Sequence, residues 1–197
     1  AMKVLNKYIQ NQKYKKTIVW CRFKQRASMF YNEFMKKQDK YENLKNMKLF
    51  KNFEFDDSVE LKSSKKSRDD LEAFSKSTTI NSILITARKN IEGSDIPKLD
   101  TCVFFDSVLS RADIVSIQSI GRILRNEDNY KTQGNNDNKK SSGLVIDYVP
   151  LSKNESLNKP MSQKIITYYK LLFKNLTSNN LEENDYLQII NSLKLNR

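Results

Sequence analysis

Apolar positions along the chain fall into two alternating kinds of run. Residues 17–21, 82–86, 102–105 and 143–147 are short, β-branched and apolar at consecutive positions, the pattern of strands buried on both faces. Residues 49–55 form a fifth, weaker run of the same kind. Between them the apolar spacing changes to that of helices. Val4, Leu5, Tyr8 and Ile9 predict a helix over 2–12, and Ala27, Phe30, Tyr31, Phe34 and Met35 one over 25–38. Leu71 and Phe74 predict a helix over 67–76, after a polar loop at 56–67, and Ile114, Ile117, Ile120, Gly121 and Leu124 one over 111–126. Residues 127–142 hold hardly an apolar side chain and read as a surface loop. Two further amphipathic stretches, 161–175 and 181–195, close the chain.

Strands that alternate with helices, each apolar on both faces, imply an α/β fold: a parallel sheet in the middle of three layers, with helices on both faces. The expected division is one domain over 1–150 and a helical extension over 151–197 that packs on or next to it. In such sheets the working residues gather on loops at the carboxyl ends of the strands.

Composition narrows the chemistry. The chain has no histidine and two cysteines, Cys21 and Cys102, each within an apolar run that suggests a buried thiol. A histidine-dependent nucleophile is excluded, and a zinc site of the usual ligand type nearly so; no metal ligands are assigned. No apolar run is long enough to span a membrane and no signal peptide is visible, so the expected setting is the cytoplasm of a bacterial or virus-infected cell, with no membrane partner.

The formal net charge is +12, unevenly placed: residues 3–51 carry 14 Lys and Arg against three acids, while the remainder is nearly balanced. Clustered positive charge attracts polyanions, nucleic acid first among them, although a solvated lysine-rich surface has the same composition.

Two segments carry unusual chemistry. The first follows the strand at 82–86 and reads Thr86-x(6)-Gly93-x-Asp95-x-Pro97. Glycine permits a tight turn, proline stiffens its exit, and Asp95 can cap a turn or accept a hydroxyl hydrogen bond; an ordinary turn is the plainer reading. The second, Gln118-x-x-Gly121-Arg122-x-x-Arg125, places two arginines on one helix face. At a strand-end cleft such a fork suits a polyphosphate, whereas two arginines on a helix are commonly solvated charges.

In this order and on these elements, the two segments resemble motifs V and VI of superfamily 2 helicases. The strand and helix start at 17–34 resemble motif IV, and the likeness spans roughly residues 1–150. The resemblance implies a RecA-like fold and the role of second motor domain in an ATP-dependent nucleic-acid helicase or translocase. It implies that Thr86 contacts the nucleic-acid backbone, together with Arg22, Lys24 and Arg26 at the end of the first strand. Gly93 and Asp95 would line the nucleotide side of the cleft, Gln118 would lie at the junction of the two motor domains, and Arg122 and Arg125 would reach the γ-phosphate.

Glutamine at 118, where DEAD-box proteins have histidine, and the failure to match the Snf2 remodeller form place the likeness nearer restriction-enzyme motor subunits, Rad25-like repair helicases and helicases of large DNA viruses. DNA is therefore favoured over RNA as the track. No phosphate loop and no magnesium-holding Asp-Glu segment occur in the chain. The resemblance thus implies that ATP and Mg2+ are bound mainly by a first RecA-like domain of the same protein, and that this chain alone is inactive. The alternative is a non-catalytic, basic nucleic-acid-binding or protein-interaction module derived from a helicase domain. A chance match would be marked by a sheet order unlike that of the RecA-like fold.

Overall fold

The computed structural model describes residues 1–53, 60–87, 96–105, 121–123 and 143–147, with only the backbone described over 60–67. The elements are α1 (Met2–Ile9), β1 (Lys16–Trp20), α2 (Lys24–Lys37) with a 3-10 turn at Gln38–Lys40, β2 (Lys48–Asn52), α3 (Glu60–Ser75), β3 (Ser82–Thr86), β4 (Thr101–Phe104) and β5 (Leu144–Asp147). The chain divides into two compact units, Ala1–Asp106 with Gln118–Tyr148 and Ser107–Ile117 with Val149–Arg197, and every described residue belongs to the first. The expected loop at 127–142, extension at 151–197 and most of the helix at 111–126 lie outside the described residues; 121–123 are helical.

Among the described residues five strands form one sheet in the order β2-β3-β1-β4-β5, with every pairing parallel. Alternation along each strand sends side chains to two separate cores. Val19 pairs in register with Ile85 and Val103, which in turn pairs with Ile146; these four join Leu5 and Ile9 of α1 and Phe30 and Phe34 of α2. One position earlier, Ile18 pairs with Leu84 and Cys102 and faces the opposite way, onto Phe74 of α3 and onto Ile123. This three-layer, all-parallel α/β arrangement is the RecA-like fold. Both cysteines are free and buried.

Four sequence expectations need correction. Residues 60–67 are not loop but the first half of α3, since their Glu, Leu and Lys residues are good helix formers that simply lack an apolar period. The face that α1 buries is Met2, Leu5 and Ile9, leaving Val4 and Tyr8 exposed, and the helix stops at Ile9. On α2, Met35 is likewise exposed, because the buried stripe is Ala27, Phe30 and Phe34. The second strand ends at Asn52, short of the expected 55, although Phe53 beyond it remains buried.

The amino end of the sheet is fastened by one carboxylate. Asp100, just before β4, accepts hydrogen bonds from the backbone N–H groups of Tyr14 (2.7 Å), Lys15 (3.0 Å) and Lys16 (3.0 Å), and from the Thr101 hydroxyl (3.2 Å). It thereby holds the turn in which Lys15 has φ of 48° against the start of the neighbouring strand. Lys16 is fully buried, and its ammonium donates to the carbonyls of Lys76 (3.0 Å) and Pro97 (2.8 Å), closing the turns that lead into β3 and β4.

Candidate functional site

The strand order fixes where a site can form. From β1 the chain crosses to β2 on one side of the sheet, whereas from β4 it runs to β5 on the other. Neighbouring strands whose connections leave in opposite directions open a crevice at their carboxyl ends. That crevice lies between the ends of β1 and β4, and the residues leading out of β1 are Cys21, Arg22, Phe23 and Lys24.

Backbone bonds hold this end beyond the strands themselves. Cys21 N–H donates to the Thr86 carbonyl (2.9 Å) and Phe105 N–H to the Trp20 carbonyl (3.0 Å). Helix α2 is anchored above by two aromatic contacts. Phe30 meets Phe105 edge-on at 4.7 Å, and Tyr31 meets Phe53 at 6.0 Å. The loop after β1 is therefore short, tied at both ends and aimed by buried rings.

Arg22, Lys24 and Arg26 are all exposed on this loop and the first turn of α2, and that turn contains no acidic residue. Cations near a helix N-terminus oppose the helix dipole, so the clustering carries a small intrinsic cost that an anionic ligand would relieve. Thr86, by contrast, is fully buried at the end of β3, with its hydroxyl 3.4 Å from the Asn52 carbonyl. The structure thus brings Thr86 and the three basic residues to one end of the sheet, with Thr86 beneath the surface and the cations on it.

Arg122 lies on the helical turn 121–123, whose Ile123 packs into the α3-side core and beside Gly143, one residue before β5. A Cβ at Gly143 would come within 3.1 Å of both the side chain and the carbonyl of Ile123, which makes glycine the residue that admits this turn. Over Gly121 no described atom lies within 4 Å of a Cβ position, so the space beside Arg122 is open there. Arg122 itself is only 8% exposed. A guanidinium is costly to desolvate, so this arginine is not the solvated helix charge that its spacing allowed. Gly93, Asp95, Gln118 and Arg125 lie outside the described residues.

Sequence reasoning passed over Phe23, an aromatic set between basic residues directly after a strand, and that interleaving was the available signal. It also passed over Asp100 and Lys16, whose roles depend on contacts between segments far apart in the chain.

Among the described residues no group of three or more His, Cys, Asp or Glu side chains could hold a metal ion, and no helix is long and apolar enough to cross a membrane.

The all-parallel five-stranded sheet with helices on both faces defines the class as a RecA-like α/β domain. Residues 1–127 match the model of the helicase conserved C-terminal domain, and the chain belongs to that family. Similar solved structures include the C-terminal part of the Fun30 ATPase domain, at TM-score 0.47 and 13% identity over 96% of this chain and 51% of that one. Another is the ATP-dependent Type ISP restriction-modification enzyme LlaBIII bound to DNA, at TM-score 0.44 and 19% identity over 86% of this chain and 11% of that one. The chain thus spans about half the length of the first and a small part of the second. No curated protein matches.

Proposed function

We propose that this chain is the second motor domain of an ATP-dependent helicase or translocase that works on nucleic acid, with DNA favoured over RNA. The observation that carries the reading is the family match over residues 1–127, which contains every candidate residue from Arg22 to Arg125. Among helicases of this superfamily we place it with the restriction-subunit, Rad25-like and large-DNA-virus group, on the form of the segment from Gln118 to Arg125.

In this reading Arg22, Lys24 and Arg26 hold the backbone phosphates of the track. Thr86, expected to contact the track's backbone, is fully buried beneath them with its hydroxyl on the Asn52 carbonyl, so its role in this reading is to hold the end of β3 rather than to touch phosphate directly. Gly93 and Asp95 line the nucleotide side of the loop that follows, and Gln118 stands where the two motor domains meet. Arg122 and Arg125 supply positive charge to the phosphates of ATP held by the first motor domain.

The donor set fits that ligand: a little-exposed guanidinium beside an open glycine suits an anionic oxygen, and bound ATP would supply the free energy that opens and closes the cleft between domains. Magnesium is assigned to the first domain, because its ligands are the carboxylates that this chain's motifs lack.

The direct test is binding of a short DNA duplex by the whole chain across a salt series. Replacing Arg22, Lys24 and Arg26 together by alanine is expected to weaken binding and to lower the slope of log K against log salt by about one per lost phosphate contact. An unchanged slope would remove these residues from the track, and no binding by the unaltered chain to DNA or RNA would remove the nucleic-acid reading.

A further inference from the structure

The loop after β1 holds one residue that phosphate binding does not explain. Phe23 is 57% exposed, more than any other large apolar side chain among the described residues. It is also the N-cap residue of α2, with extended backbone (φ −122°, ψ 147°), and its carbonyl accepts from Ala27 N–H at 3.1 Å. Ser, Thr, Asp or Asn could bond an N–H group of the first turn from this position, and phenylalanine makes no such cap. The chain therefore forgoes both burial of a ring and capping of a helix here, while keeping the ring on a backbone that the helix start makes rigid.

The surroundings of the ring are specific in kind. The Arg22 guanidinium carbon lies 5.1 Å from the ring centroid, in cation–π range, and Lys24 and Arg26 are exposed in the next turn. An aromatic face backed by a guanidinium and flanked by cations is the chemistry that recognises an unpaired nucleobase and its phosphates: the base stacks on the ring while the cations hold the backbone. A paired duplex offers phosphates to the same cations but hides its base faces within its own stack.

We infer that Phe23 is a stacking platform for an unpaired base of the strand whose phosphates Arg22, Lys24 and Arg26 hold. The assignment rests on the nucleic-acid reading above and deepens it, because it makes this loop a reader of single-stranded rather than paired track. The ring's exposure follows from this role, since a base covers it only in the bound state.

The test compares the whole 197-residue chain with Phe23→Leu and Phe23→Trp on three probes. These are a thymidine oligonucleotide, an abasic oligonucleotide of the same length, and a duplex. The unaltered chain should prefer the thymidine strand to the abasic one. Phe23→Leu should lose about tenfold on the thymidine strand and change less than about twofold on the other two, while Phe23→Trp keeps the preference. A 2-aminopurine base in the strand should be quenched on binding the unaltered chain and not on binding Phe23→Leu.

Three results would overturn the inference. If Phe23→Leu matches the unaltered chain on all probes, while loss of the three cations still abolishes binding, stacking fails and the nucleic-acid reading stands; an apolar contact with a protein partner, which leucine would satisfy, then becomes the better account of the ring. If Phe23→Leu weakens all three probes equally, the ring is structural. If the unaltered chain binds none of them, the inference falls together with the reading it rests on.

Discussion

At the scale of single residues, the fold depends on a few polar groups placed where composition gives no hint of them. Asp100 is buried, and it accepts from three backbone N–H groups at the amino end of the sheet. Asp100→Ala should therefore destabilise the chain by about 3 kcal/mol or more in urea unfolding, the cost of several buried donors left unpaired. Burial raises the pKa of Asp100 above the usual carboxylate value, and its hydrogen bonds with Tyr14, Lys16, Thr101 and Lys15 oppose that rise. The folded state thus holds the proton more tightly than the unfolded chain does. This contribution to stability is complete below the unfolded carboxylate pKa of about 4 and is lost as pH rises through the folded value. Urea midpoints measured across that window should show the decline, and Asp100→Asn, which cannot titrate, should remove that part of it. Gly143 offers a second residue-scale test. Gly143→Ala should cost about 1 kcal/mol through the close approach of Ile123, with Ile123→Val relieving only the side-chain share, because the Ile123 carbonyl is equally near.

At the scale of elements, β-branched apolar runs were enough to locate all five strands to within a residue or two, except that β2 stops at Asn52 rather than 55. Both faces of an interior strand are buried, so a run without alternation is its proper signature, and β1, β3 and β4 carry it. The strand starts were harder to read. β1 begins at Lys16, a charged residue that reads as turn until its ammonium is seen on two carbonyls. The beginning of α3 was hidden for a related reason, since the apolar period that marks a packed helix is absent from 60–67. Edge strand β2 is guarded by the same helix: Asp70 accepts from the Lys51 N–H at 3.1 Å, which occupies a donor that an edge would otherwise offer to another chain. Asp70→Ala should lower stability by about 1 kcal/mol in chemical unfolding and raise the tendency to associate, as read by light scattering. Of the candidate site, the basic loop was legible because it follows a strand directly. The burial of Arg122 was not, because helix spacing says nothing about what a turn will pack against.

At the scale of the whole molecule, the order and spacing of the two motif segments pointed to the family before any contact was known, and the parallel sheet with two cores is the frame that they require. Positive charge is concentrated in the first 51 residues, and the loop at 22–26 is its exposed point at the switch-point crevice. In the proposed function this charge grips a track while the arginines of the Gln118–Arg125 segment complete an ATP site built mostly by another domain. The measurement that tests it most directly is DNA-stimulated ATP hydrolysis by the full-length protein containing this chain, with Arg122→Ala and Arg125→Ala beside the unaltered form. The unaltered protein should show DNA-stimulated turnover and each variant a loss of about a hundredfold or more, with DNA affinity kept within about threefold. Absence of DNA-stimulated turnover in the unaltered protein, or equal loss of binding and turnover in the variants, would contradict it.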